Sequence, residues 1–168
     1  SKEGLLYVKG RFKSLLISSD GEKYSPEGIE EALVEKSPYI DQVMLYNNQS
    51  NYTTAVIVPN RDQLIRTLKV QGLDLSTEDG RKAALTILDG EINKYKKGGD
   101  FEGMFPERWL PTCVAVLSEP FAEQNQMINS TMKMVRGKIE KAYAERIAYM
   151  YTAAGKQLHN QQNIDALK

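Results

Sequence analysis

The sequence predicts an α+β domain: a small, mostly antiparallel sheet flanked by helices, with a long helix near the C-terminal end. Three observations carry this. Short runs rich in β-branched and aromatic residues, 40–46 (IDQVMLY) and 53–58 (TTAVIV) above all, are bounded by turn residues, which marks strands. Longer stretches repeat apolar residues every three or four positions behind recognisable caps, which marks helices. The order read along the chain, β-β-α-β-β-α-α-β-α, is that of an α+β domain.

Each element has a local reason. Residues 4–9 (GLLYVK) and 12–18 (FKSLLIS) read as two short strands with Gly10-Arg11 between them. Ser19 to Lys23 is a turn, and its Asp20-Gly21 pair is a strong hairpin signal. Ser25 as N-cap, Pro26 at the first helical position and Glu27 in the first turn start a helix. It runs to about Lys36 with Ile29, Ala32 and Leu33 on one face, and Ser37-Pro38 breaks it. The strands 40–46 and 53–58 follow, separated by a polar turn, 47–51, and closed by Pro59. Asn60 with Gln63 resembles a capping box for a helix lined by Leu64, Ile65 and Leu68 and ended by Gly72. A second helix, from about Thr77 to Lys96, carries Ala84, Ile87, Leu88, Ile92 and Tyr95 and stops at KYKKGG, cations followed by glycines. Residues 113–118 (CVAVLS) read as a strand and 119–130 as a polar loop. The last long helix is expected to begin near Thr131 and to carry Val135, Ile139, Ala142, Tyr143, Ile147, Met150, Tyr151 and Ala154. After Gly155 the tail is polar and weakly patterned.

Composition removes several function classes. The chain has 168 residues, with 22 Lys and Arg balanced by 22 Asp and Glu. A neutral chain of this size has no global field to hold a polyanion, so a dedicated nucleic-acid binder is not expected. No apolar run approaches the ~20 residues of a membrane span, and no secretory leader pattern is present. One cysteine, Cys113, leaves no partner for an internal disulfide and fits a reducing compartment, and one histidine, His159, leaves no zinc cluster. The first residue is Ser1, and the apolar pattern begins within a few residues of it, so a piece of a longer protein is expected. No internal repeat is found.

Standard catalytic motifs are missing. There is no G-x-x-x-x-G-K-[ST], no G-x-G-x-x-G and no H-E-x-x-H. A Ser-His-Asp triad would need His159, which reads as a solvated tail residue. Two segments remain. The first runs from Gly10 to Glu30 and sets Arg11 at a turn, Lys13 two residues on, and the Asp20-Gly21-Glu22 loop before Ser25-Pro26-Glu27. The second is Asn129 to Arg136, with Lys133 at the joint of a loop and a helix, where a flexible ammonium reaches beyond the domain. On spacing alone, Arg11, Lys13 and Lys133 also read as ordinary surface cations.

The first segment, GRFKSLLISSDGEKYSPEGIE, is similar to the stretch that opens the C-terminal domain of acyl-adenylate-forming ligases: G-R-x-[KD]-[DS]-x-I, a Gly loop, then P-x-x-[IV]-E. The preceding EGLLYVKG resembles the D-G-x-L-x-[VI]-x-G strand that leads into it. STMKMVR resembles the terminal T-x-x-K-x-x-R of the long-chain fatty acyl-CoA synthetase branch. The resemblance covers residues 3–46 and 112–150, and the stretch 60–111 is longer than in short members. Three positions depart from the pattern: Ser14 stands for the commoner Asp, Asp20 for a frequent Gly, and Met132 for the Gly that shorter members carry before the lysine.

The resemblance implies a role for each matching residue. Residues 1–13 would be a linker strand and hinge, 14–155 the C-terminal lid domain and 156–168 a polar tail. Arg11 would hydrogen-bond the ribose hydroxyls of ATP, and Lys13 would be the hinge about which the domain swings between two orientations. Lys133 would be the adenylation lysine, bridging the substrate carboxylate and the α-phosphate. The Asp20, Gly21 and Glu22 turn would enter the active site in the second orientation and help form the channel for CoA. Pro26 and Glu30 would set the helix that follows. The implied whole is a long-chain fatty acid–CoA ligase that uses ATP and Mg2+ to make an acyl-adenylate and then passes the acyl group to CoA. This chain would be its mobile domain, inactive and without bound cofactor when separated from the N-terminal adenylation domain. Magnesium would not be ligated by this domain. A cytoplasmic location with peripheral membrane contact would follow. Two alternatives stay open: a ligase that delivers its acyl group to a carrier protein, and a non-catalytic module whose Tyr143/Ile147/Met150/Tyr151 stripe binds a partner helix or a membrane surface.

Overall fold

The computed structural model describes residues 15–168. The strand read over 4–9, the start of that read over 12–18, and the residues Arg11 and Lys13 lie outside the described residues. From Leu16 onward the architecture is α+β, with two three-stranded sheets and helices on both sides of the larger one. The sheets are mixed, so the expected mostly antiparallel sheet is half right: two strand pairs are antiparallel and two are parallel.

The smaller sheet is built on the expected hairpin. Strand β1 (Leu16–Ser18) pairs antiparallel with β2 (Lys23–Tyr24), Leu16 opposite Tyr24. Helix α1 (Glu27–Lys36) follows Pro26, which has helical torsions as expected of the first helical position, but no side-chain hydrogen bond caps the end. Ile29 and Leu33, four residues apart, bury its inner face. Strand β3 (Ile40–Tyr46) has the predicted bounds. The polar turn after it contains a third strand, β4 (Asn48–Ser50), which pairs parallel with β1. Nothing in the composition of Asn48-Gln49-Ser50 favours a strand. The partner decides it, helped by Asn47, whose Oδ1 accepts from the Ser50 amide at 2.8 Å.

Strand β5 (Thr53–Pro59) is the centre of the larger sheet, between antiparallel β3 and parallel β6 (Pro111–Val116). Every residue of β5 is buried, as expected for a strand covered on both faces. Alternation sorts the side chains. Val43, Leu45, Ala55, Ile57, Val114 and Val116 join one core with α1 and with helices α2 (Arg61–Val70) and α3 (Glu78–Asn93). Met44, Val56, Val58, Cys113, Ala115 and Leu117 face a second core. Each such fully buried aliphatic side chain contributes ~1.5–3 kcal/mol by leaving water. The Asn60 cap of α2 forms as predicted in kind, accepting from the Gln63 amide, and Thr77 caps α3 by accepting from the Gly80 amide, each at 3.1 Å. Because α2 and α3 intervene between β5 and β6, that pair is a crossover and runs parallel.

The C-terminal third departs most from the periodicity reading. In place of one helix from Thr131 there are two short ones, α4 (Arg136–Ala142) and α5 (Ala144–Tyr149), broken at Tyr143 with φ −113° and ψ 25°. Residues 128–134 do not enter the helix because side-chain hydrogen bonds from Asn129 and a β-bridge between Ile128 and Met134 capture that backbone first. The chain turns sharply at Gly155, where a Cβ would stand 1.8 Å from the Tyr149 carbonyl oxygen. The stripe nonetheless packs: Ile139, Ile147 and Met150 are buried in the second core, with Tyr143 and Tyr151 against it. The residues of the helix-binding alternative are therefore already committed to this sheet.

The segment expected to be a polar tail folds back instead. Helix α6 (Gln161–Ala166) buries Ile164 with Leu167 in the first core. Its Asn163 is fully buried and acts as a surrogate strand along β6, accepting from the Val116 amide at 2.9 Å and donating to the Val114 carbonyl at 3.0 Å. That satisfies part of the β6 edge of the larger sheet.

Candidate functional site

Lys133 sits on a loop whose shape is set by Asn129. The Asn129 side-chain oxygen accepts from the amides of Thr131 and Lys133, both at 3.0 Å, and from the Thr131 hydroxyl at 2.7 Å. The Asn129 amide in turn donates to the Lys133 carbonyl at 2.9 Å. Met132 occupies the left-handed region, φ 63°. The backbone conformation there is one that glycine adopts freely. Four residues after Met132, Arg136 begins α4 and ties the loop to α1: its Nη1 donates to Glu30 Oε2 at 2.9 Å and its Nη2 to Glu30 Oε1. Glu30 Oε2 also accepts from the Leu45 amide of β3 at 2.7 Å. One buried carboxylate thus joins α1, β3 and the start of α4. Burial pushes the Glu30 carboxyl upward, and the Arg136 guanidinium pulls it back.

Beside this joint lies an open cleft of about 610 Å³, lined by α1, the start of β3 and residues 128–136. Lys133 and Met132 stand on one wall, and Met132 is 72% exposed. Glu27, Glu31, Glu35 and Asp41 line the rest of the rim, and none has an ion-pair partner among the described residues. Four carboxylates against one ammonium repel a polyphosphate. Lys133 is therefore suited to reach toward an anion held elsewhere, as a single mobile charge.

The Asp20-Gly21-Glu22 turn is a separate place. None of its residues lines the cleft. The Ser18 amide donates to the Glu22 carbonyl at 2.9 Å and the Gly21 amide to the Ser18 carbonyl at 3.0 Å, and Gly21 has φ +88°, which favours glycine. Asp20 staples the turn from inside by accepting from the Ser18 hydroxyl and the Glu22 amide, and the Ser18 bond holds its carboxyl below the usual range. Glu22 points outward to Arg108, whose guanidinium holds that carboxyl low too. The residues before Arg108 pack on the other side of α1: Phe105 lies against Gly28, and Tyr95 donates to the Ala32 carbonyl at 3.1 Å. Helix α1 therefore has the Lys133 cleft on one side and the segment that supports the turn on the other.

Other candidates resolve plainly. His159 is exposed, as expected, with Nε2 3.1 Å from both the Thr86 hydroxyl and the Lys82 carbonyl. Cys113 is buried in the second core, and burial pushes its thiol up to about 11, far from a reactive thiolate. Among the described residues no three His, Cys, Asp or Glu side chains converge for a metal ion. Sequence reasoning missed Arg108 altogether and assigned Arg136 no role. Glu22 and Arg108 are 86 residues apart and Glu30 and Arg136 are 106 apart, so no local pattern announces either pair.

Known proteins similar to this chain agree on one chemistry. A probable acyl-activating enzyme 16, chloroplastic, of Arabidopsis thaliana is 26% identical over 88% of the chain and 20% of its own length. A putative fatty-acid–CoA ligase, fadD11, of Mycobacterium tuberculosis is 29% identical over 90% of the chain and 26% of its length. A long-chain-fatty-acid–[acyl-carrier-protein] ligase of Arabidopsis thaliana is 25% identical over 89% of the chain and 18% of its length. The chain spans about a fifth of the length of the curated relatives it matches. Among solved structures, the adenylation domain of the carboxylate reductase of Mycobacterium chelonae superposes with a TM-score of 0.66 at 24% identity, over 83% of this chain and 19% of that one. The chain thus shares its fold with part of that solved structure. The A-PCP didomain of the carboxylic acid reductase of Segniliparus rugosus, solved in complex with AMP, gives 0.63 at 23% identity, over 82% and 17%. No family model matches the chain.

Proposed function

We propose that this chain is the mobile C-terminal domain of a long-chain acyl-adenylate-forming ligase. In the first half-reaction a carboxylate oxygen attacks the α-phosphorus of ATP and pyrophosphate leaves. In the second, the thiolate sulfur of the acceptor attacks the acyl carbon and AMP leaves. Lys133 would stabilise the charge that develops between carboxylate and α-phosphate in the first step, the kind of contact that a compact ammonium makes best. The observation that carries this reading is the Glu30–Arg136 pair. It unites the two sequence segments that resemble these ligases, 106 residues apart, and leaves Lys133 at the lip of an open cleft. Arg11 as the ribose contact, Lys13 as the hinge and the Asp20–Glu22 turn as part of the acceptor channel complete the proposal. They rest on the resemblance of GRFKSLLISSDGEKYSPEGIE to the ligase pattern. The placement of the Lys133 cleft and the turn about α1 fits a domain that presents two faces in turn.

ATP, carrying its Mg2+, would be held chiefly by the adenylation domain, since the acidic rim around Lys133 repels its phosphates. CoA is the proposed acceptor. A carrier protein is the second reading, favoured by the acyl-carrier-protein ligase among the relatives and by the A-PCP didomain among the structures. The test is Lys133→Ala in the full enzyme, with the half-reactions measured apart. Pyrophosphate exchange should fall ~100-fold or more, the scale of one lost transition-state contact, while acyl transfer from supplied acyl-adenylate continues. Equal loss in both steps would refute the role of Lys133. Supplying CoA or an acyl carrier protein to the wild-type enzyme separates the two acceptor readings.

A further inference from the structure

We propose that Arg108 is a positioning residue for the Asp20-Gly21-Glu22 turn, and through it for the acceptor step. The inference rests on the reading above, in which that turn lines the acceptor channel. Asp20 is spent on the inside of the turn, bonded to the Ser18 hydroxyl and the Glu22 amide. Among the described residues, Glu22 carries the side-chain bond from Asp20-Gly21-Glu22 to another part of the domain, and beside it the Ser19 amide donates to the Ser50 carbonyl at 3.1 Å. Arg108 Nε donates to Glu22 Oε1 and Arg108 Nη2 to Glu22 Oε2, each at 2.7 Å, a two-pronged fork that fixes direction as well as distance.

The fork is itself held. Arg108 lies in a one-turn 3-10 helix, Glu107–Trp109, and its guanidinium sits 5.7 Å from the centre of the Trp109 ring. Trp109 stacks on Tyr24, the residue that closes the hairpin, at 5.3 Å and 10°. Tyr24 is anchored below by Asn47 Nδ2 at 3.0 Å and by the Thr53 hydroxyl. On the other side, Glu107 Oε1 accepts from the Lys97 amide at 2.9 Å. Base and tip of the hairpin are thus gripped by neighbouring residues of one remote segment, Trp109 at the base and Arg108 at the tip. The Arg108 side chain is 63% exposed, so the core does not need it. An exposed pair adds little to folding, but a fork of fixed geometry selects one orientation of a loop tip. In the acceptor-binding orientation that selection keeps Gly21 and its neighbours shaped as one wall of the channel.

The experiment measures both half-reactions in the full enzyme. Arg108→Ala should lower kcat/KM for the acceptor in the second step by roughly 5–10-fold and leave pyrophosphate exchange unchanged. Arg108→Lys keeps the charge without the fork and should fall between. Glu22→Gln should match Arg108→Ala, and the double variant should be no worse than either single one, because one contact is removed. Added salt should slow the wild-type second step by a larger factor than that of Arg108→Ala. Unchanged acceptor kinetics in Arg108→Ala, a faster second step, or an equal loss in both steps overturns the proposal. Gly21→Val, which strains the turn without touching Arg108, tests the underlying reading apart: if it spares acyl transfer, the turn has no part in the acceptor step. If it blocks transfer while Arg108→Ala does not, the Arg108 proposal falls alone.

Discussion

Two Arg–Glu pairs brace the two candidate regions, one through Nη1 and Nη2 and the other through Nε and Nη2, and they differ most in their surroundings. Glu30–Arg136 supports the Lys133 loop with side chains 6% and 18% exposed, and Glu30 spends a further bond on the Leu45 amide of β3. Glu22–Arg108 supports the hairpin tip with side chains 30% and 63% exposed. The chemistry is the same fork on a carboxylate, yet the consequences separate. Removing one partner of the buried pair strands a charge that is largely shielded from water. Removing one partner of the exposed pair hands the other to solvent and releases only a direction. The difference teaches that the Lys133 loop is held by the fold as a whole, whereas the turn is held by an adjustable outrigger.

The largest effect that tests this comparison is on stability. Arg136→Ala should destabilise the chain by about 3–5 kcal/mol, read as a shift in the denaturant midpoint, whereas Arg108→Ala should leave the midpoint where it was. Replacing Glu30 and Arg136 together by apolar residues of similar volume should cost less than either single change, since no charge is then left alone. Equal midpoints for Arg136→Ala and Arg108→Ala would erase the distinction.

A smaller effect lies in pH. Burial raises the Glu30 carboxyl above its unfolded value of 4.5, so the folded state binds that proton more readily than the unfolded one. The contribution of Glu30 to stability is therefore present in full below pH 4.5 and is lost as pH rises through the raised value. Asp20 and Glu22 have lowered values and act with the opposite sign, so the informative quantity is a difference. Subtracting the stability curve of Glu30→Gln from that of the wild type should leave a slope that falls with pH over this window. A flat difference would mean that Glu30 is not held in a desolvated site.

The smallest effect is local. In Arg108→Ala the amides of Gly21 and Glu22, bonded to the Ser18 carbonyl and the Asp20 carboxylate, should exchange hydrogen faster, with the Leu45 amide unaffected. In Arg136→Ala the order should reverse, with Leu45 losing protection first. Exchange measured amide by amide decides between the two, and parallel changes at all three sites would break the comparison.

Much of the larger sheet was legible because its signals are local. Ile40 to Tyr46 alternates inward and outward only weakly, but its β-branched and aromatic residues and flanking turns bound a strand, and Asn60 and Thr77 announce helix starts by a hydrogen bond within three residues. Strand β4 was not legible, since Asn48-Gln49-Ser50 becomes extended only because β1 lies beside it. The long helix expected from Thr131 failed for a related reason. Periodicity reports which residues turn inward, and Ile139, Ile147 and Met150 do, but it does not report that Asn129 will bind the Thr131 and Lys133 amides first. The tail misled in the opposite way: its polar residues include Asn163, whose buried amide bonds the Val116 amide and the Val114 carbonyl of β6.

By itself, the sequence determined the class of fold, the hairpin at Asp20-Gly21, the inward face of each helix and the two segments worth suspecting, because each of these depends on neighbours a few residues apart. The parallel pairings, the burial of the last helix and the partners of Glu22 and Glu30 were decided only in three dimensions. A carboxylate carries no mark of which guanidinium it will meet. That choice follows from how the sheet and α1 bring distant stretches of chain together, and from whether water is left at the meeting place.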